Sequence, residues 1–138
     1  MGIFKFLQPG IFIASLLLVV SSLGIEGMAQ SDVINNVRTA MKSGSSKELS
    51  QYFGSMVELN FDGEKSSYSR SQAEFVLKDF FKKNPPIDFQ YIHQGASKQG
   101  FKYVIGKYSV SNGSFRIWIL FKKDENTYYV DTIDFTRE

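Results

Sequence analysis

The stretch Phe101–Lys123, FKYVIGKYSVSNGSFRIWILFKK, decides the fold. Two runs of alternating apolar and polar residues flank Asn112-Gly113, and alternation at period two marks half-buried strands. Asn-Gly between such runs predicts a type I′ corner, which needs positive φ at both central residues. A hairpin closing on that corner sets Ser111 opposite Ser114, Val110 opposite Phe115, Tyr108 opposite Ile117, Gly106 opposite Ile119 and Val104 opposite Phe121. The most apolar side chains then gather on one face, which helices must cover.

Upstream, Ile87–Ser97 alternates in the same way, and a two-residue loop within Lys98-Gln99-Gly100 brings Ile87, Phe89, Tyr91 and His93 onto that face. Downstream, Thr127–Thr136 is a fourth strand whose register turns on loop length. A two-residue turn at Glu125-Asn126 points Tyr128, Val130, Thr132 and Asp134 inward, whereas a three-residue turn at Asp124-Glu125-Asn126 points Tyr129, Asp131, Ile133 and Phe135 inward; the second is favoured for its apolar content.

Before these strands the period becomes helical. Val33, Ile34, Val37, Ala40 and Met41 form one stripe ending at Gly44, and Ser45 with Glu48 has the form of a capping box for a short second helix carrying Leu49, Tyr52 and Phe53. Met56–Phe61 reads as a strand leaving into Asp62-Gly63. Ser71 with Glu74 opens a third helix, with Ala73, Val76, Leu77, Phe80 and Phe81 buried, and Pro85-Pro86 stops it. The class is α+β: three N-terminal helices packed on a curved antiparallel sheet of four long C-terminal strands, plus one early strand.

The first thirty residues read differently. Lys5 precedes the apolar run Ile11–Val20, and Gly27-Met28-Ala29 sets small residues where a signal peptidase reads them. Residues 1–29 are therefore expected to be a signal peptide and 30–138 a single exported domain, periplasmic or secreted. The apolar run is about half of the roughly 20 residues that span a bilayer, so no stable anchor is expected after cleavage.

Composition narrows the function. The chain of 138 residues has 43% hydrophobic residues, no cysteine and one histidine, which removes disulfides, thiolate chemistry and ordinary zinc sites. Sixteen basic against fourteen acidic residues, with no basic run beyond a pair, argue against a nucleic-acid partner. Neither cofactor nor metal is expected.

The order helix, helix, strand, helix, four strands resembles the cone-shaped, cystatin-like fold of the nuclear transport factor 2-like superfamily. Within it, Leu77-Lys78-Asp79-Phe80-Phe81, Asn84-Pro85-Pro86, Ile92-His93-Gln94-Gly95, Tyr103-Val104-Ile105-Gly106 and Ser111–Arg116 are similar to the exported proteins of domain of unknown function 4783. The resemblance implies a fold and an exported location, and brings no activity or site residues with it.

A cone implies a hollow lined here by Phe89, Tyr91, His93, Gly106, Tyr108, Ile117 and Ile119. Gly106 is read either as relief at a sheet bend or as room for a ligand. With Asp131 turned inward, Tyr91, His93 and Asp131 would form a carboxylate, imidazole and phenol set suited to proton abstraction beside a carbonyl in a cofactor-independent lyase or isomerase. Against that stands the leading reading: a non-catalytic module binding a small apolar ligand or a protein partner. The opposite sheet face carries Tyr103, Ile105, Trp118 and Leu120 among lysines and arginines, an apolar island suited to pairing two copies, so the third reading is a purely structural dimer.

Overall fold

A computed structural model describes residues 29–138, with side chains from Asp32 onward. Residues 1–28 of the expected signal segment lie outside the described residues. In order along the chain come α1 (Ala29–Ser43), α2 (Ser46–Ser50), β1 (Phe53–Phe61), β2 (Glu64–Ser69), α3 (Arg70–Lys83), β3 (Asp88–Ala96), β4 (Lys102–Val110), β5 (Gly113–Asp124) and β6 (Thr127–Arg137). The strands form one sheet in the order β2-β1-β6-β5-β4-β3. Among the described residues no helix is long and apolar enough to cross a membrane.

The helices begin and end for local reasons. Gly44 takes φ +67 after α1, which lets Ser45 N–H reach the Ala40 carbonyl at 3.0 Å. Ser45 caps α2 by accepting from Glu48 N–H at 3.1 Å. The capping box of α3 lies two residues earlier than the spacing predicts: Ser69 accepts from Gln72 N–H, and the Gln72 side chain accepts from Ser69 N–H. Tyr52 and Phe53 fall beyond α2, and Phe53 begins β1.

Six strands replace the predicted five, and the sheet is mixed. β2 pairs antiparallel to β1, and β1 runs parallel to β6, joining the N-terminal hairpin to the C-terminal meander. The type I′ corner occurs at Asp62-Gly63, where both residues take positive φ (+52 and +92) between paired Phe61 and Glu64. Asn112-Gly113 does not form it. Val110 pairs with Gly113 and Tyr108 with Phe115, so the loop is Ser111-Asn112, and only Gly113 takes a positive φ there. The predicted register is thus slipped by two residues, which preserves side-chain parity.

Val104, Tyr108, Val110, Phe115, Ile117, Ile119 and Phe121 accordingly face the helices and are buried. They meet Ile34, Val37, Met41, Leu49, Leu77, Phe80 and Phe81 in one core, closed from β1 and β6 by Leu59, Ile133 and Phe135. Ile87 does not join it; standing just ahead of β3, it is 67% exposed.

Candidate functional site

The interior of the cone is packed. Phe80 sits at its centre with ring centroids of Phe61, Phe81, Tyr108, Phe115 and Phe135 all between 4.6 and 5.8 Å away. Ile117 and Ile119 are fully buried beneath these rings, and Phe89 is 1% exposed. At Gly106 the room left by the absent side chain is taken by Phe89: a Cβ there would lie 2.6 Å from two of its ring carbons. Of the two readings of Gly106, close packing of a neighbouring ring replaces ligand space.

Of the polar residues predicted to line the hollow, Tyr91 and Tyr108 point inward, and both are committed to the scaffold. Tyr91 Oη donates to the Ile34 carbonyl at 2.7 Å, and Tyr108 Oη to the Asn84 carbonyl at 2.5 Å. Burial pushes both phenols well above the ordinary tyrosine value, with Arg38 partly opposing it at Tyr91. Each is therefore a fixed neutral donor, tying α1 and the end of α3 to the sheet.

His93 lies on the other side. A three-residue loop Lys98-Gln99-Gly100 pairs Ala96 with Lys102 and His93 with Ile105, and a bulge between Tyr91 and His93 restores the inward parity of Phe89 and Tyr91 only. The imidazole is exposed on the outer face, 3.2 Å from Tyr103 Oη. Asp131 is displaced by a second bulge. The turn at Glu125-Asn126 has two residues, so Phe121 pairs with Val130; the register then shifts, Leu120 pairs with Thr132, and Ile133 and Phe135 come inward. Each alternative register holds over part of β6. Asp131 pairs with Lys122 at 3.4 Å and accepts from the Thr132 hydroxyl at 2.9 Å. Tyr91, His93 and Asp131 thus have three separate sets of partners.

On the outer face, Tyr103 opposes Leu120 and Ile105 opposes Trp118, so the four predicted apolar side chains form one block, all partly exposed. The tyrosine ring is held flat: it covers Gly95, where a Cβ would come within 2.6 Å of the ring. On the β4/β5 side the block is bordered by Lys107, Arg116 and Lys122, and on the β1/β6 side by Glu58, Asp131 and Asp134, of which Glu58 is paired with Lys65 at 3.3 Å and Asp131 with Lys122.

Two open grooves were not foreseen. One of about 810 Å³ lies where β1 parts from β6, lined by Tyr52, Met56, Arg70, Tyr128 and Tyr129. The other, of about 580 Å³, lies between α1 and β3, with Arg38 and Lys42 on its helical wall. Only the i, i+4 spacing of these two cations on the polar side of α1 could have signalled it. Among the described residues no group of three or more histidine, aspartate or glutamate side chains is placed to hold a metal ion.

The sequence pattern described as Domain of unknown function (DUF4783) matches residues 34–136. The chain belongs to this family. A DUF4783 protein from Bacteroides ovatus is 36% identical, with a TM-score of 0.71 over 75% of this chain and 93% of that one. One from Bacteroides fragilis is 33% identical, with a TM-score of 0.70 over 75% and 96%. The wider fold is shared with an NTF2-like protein of unknown function from Silicibacter pomeroyi, 13% identical with a TM-score of 0.57 over 86% and 98%. No curated protein matches the chain. The DUF4783 chain thus has an α+β fold like that of NTF2-like proteins.

Proposed function

We propose that this DUF4783 protein is an exported, non-catalytic protein-binding module that works as a pair of copies joined through their outer sheet faces. The observation that carries the reading is the distribution of apolar surface. Inside the cone the rings around Phe80 occupy the space a small apolar ligand would need, whereas Tyr103, Ile105, Trp118 and Leu120 remain partly uncovered outside. Apolar surface left to water is stabilised by a partner, and aromatic residues near arginine are the composition of interface centres.

A second copy supplies a matching surface. A two-fold axis parallel to the strands, running between β4 and β5, lays Tyr103 and Ile105 of one copy over Leu120 and Trp118 of the other, so the apolar blocks meet. Export is supported by the leader-like pattern of residues 1–29. The separation of Tyr91, His93 and Asp131 weighs against lyase or isomerase chemistry in the cone.

Sedimentation equilibrium of residues 30–138 tests the pairing. The expected result is a monomer–dimer equilibrium that Trp118→Glu shifts to monomer without altering the circular dichroism. A wild-type chain that stays monomeric at high concentration removes the reading.

A further inference from the structure

The two edges of the sheet are treated differently. The β2 edge, six residues long, carries Glu64 and Lys65 followed by two serines, charges of the kind that discourage another strand from adding. The β3 edge is less guarded over Asp88–Tyr91, where Asp88 is its one charge and the bulge lies beyond Tyr91. β3 pairs with β4 alone, and its free side is bracketed by exposed Ile87 (67%) and Ile92 (64%).

Helix α1 runs alongside this edge in the opposite direction. Ile34 is tied to Tyr91 by the phenol hydrogen bond, while Lys42, two turns further along, reaches Asp88 at 3.9 Å. The groove of about 580 Å³ between them therefore has a strand for one wall and a helix for the other. Arg38 is held over the Tyr91 ring at 5.8 Å, and Lys42 lies one turn beyond it on the same wall. Asp88 is the one acidic side chain described near them, and at 3.9 Å across an exposed surface it holds Lys42 only loosely.

We propose that Asp88–Tyr91 is a docking edge for an extended peptide segment carrying carboxylates at alternate positions. Adding a strand would satisfy the main-chain groups on the free side of β3. The spacing of the side chains fits as well. Carboxylates two residues apart on a strand are about 6.6 Å apart along its axis, and cations four residues apart on a helix are about 6 Å apart along its axis. Arg38 and Lys42 would thus each meet one carboxylate, and Ile87 and Ile92 would receive the apolar positions at either end.

The test uses the whole domain, residues 30–138, with two fluorescein-labelled octapeptides, one alternating threonine and glutamate and one alternating threonine and lysine. The glutamate peptide is expected to bind saturably, to slow amide exchange in Asp88–Tyr91, and to bind about tenfold or more tighter than the lysine peptide, a gap of about 1.4 kcal/mol or more. Arg38→Glu with Lys42→Glu should abolish that preference; both side chains are exposed, and the milder Arg38→Gln with Lys42→Gln should weaken it. Trp118→Glu should leave it intact, which separates this edge from the pairing face. Equal binding of the two peptides, protection elsewhere in the sheet, or unchanged binding by the double variants would overturn the proposal. So would concentration-dependent protection of Asp88–Tyr91 without peptide, since a second copy would then be the occupant.

Discussion

The ring of Phe89 lies across Gly106, so close that a Cβ at position 106 would stand 2.6 Å from two of its carbons and 3.1 Å from the Gln90 carbonyl. The missing side chain on β4 is what lets β3 lay its aromatic residue flat under α1. Gly106→Ala should therefore destabilise the domain by about 1–3 kcal/mol, the usual range for forcing an extra methyl into a packed core. Phe89→Leu should relieve part of that loss in the double variant, because a smaller side chain vacates the contested space. Urea unfolding of both single variants and the double variant measures it; strictly additive losses would mean that the two positions do not compete.

Alkaline pH should unfold the domain through Tyr91 and Tyr108, two of its seven tyrosines. Both native phenols are held above the ordinary value by burial and donate to backbone carbonyls. In the unfolded chain a tyrosine loses its proton near pH ~10. A folded value raised above the unfolded one means that the stabilisation is fully present below about pH 10 and is lost as pH climbs through the native values. Tyrosinate absorbance should accordingly rise in two steps, an early one from the more accessible tyrosines and a late one coinciding with loss of circular dichroism. Tyr108→Phe keeps the ring but strands the Asn84 carbonyl, and should cost about 1 kcal/mol at neutral pH.

Parity around the Ser111–Gly113 corner was the legible part of this fold. Slipping the hairpin from Ser111-Ser114 pairing to Val110-Gly113 pairing moves every partner by two, so Tyr108 and Ile117 still look inward. What sequence could not reveal were the bulges, each of which inserts one residue without a distinctive side chain. One turns His93 outward after Tyr91 has faced inward, and the other carries Asp131 to Lys122; together they dissolve the site that strict alternation implies. β2 escaped for a related reason. Glu64–Ser69 has only Tyr68 to offer a core, and an edge strand needs little burial once the Asp62-Gly63 corner folds it against β1. The parallel pairing of β1 with β6 joins residues some seventy positions apart, and no local pattern announces it.

Asp134, beside Trp118 on the outer face, has a buried Oδ1 without a hydrogen-bond partner among the described residues. Burial raises its carboxyl above the ordinary value, Lys65 opposes this and Glu58 adds to it. A carboxyl raised on folding contributes stability below the unfolded aspartate value, about 4, which is lost as pH rises through the native value. The ionised group is thus a burden at neutral pH. Asp134→Asn should raise the urea midpoint at pH ~7, and the gain should shrink towards zero near pH ~3, where aspartate is protonated in both states. A gain of equal size at both pH values would separate the effect from ionisation.

The pair Lys107 and Arg116 beside the apolar block gives a stricter test of pairing than loss of Trp118. Under a two-fold axis parallel to the strands between β4 and β5, Lys107 of one copy lies over Arg116 of the other. Lys107→Glu should therefore tighten the dimer, because each new carboxylate meets the partner's guanidinium, and the gain should shrink at high salt, since rim charges are screened over about 10 Å at 0.1 M. Sedimentation at low and high salt measures it. An axis perpendicular to the strands would instead set Lys107 over the far end of the partner's β4 and leave the variant no such gain.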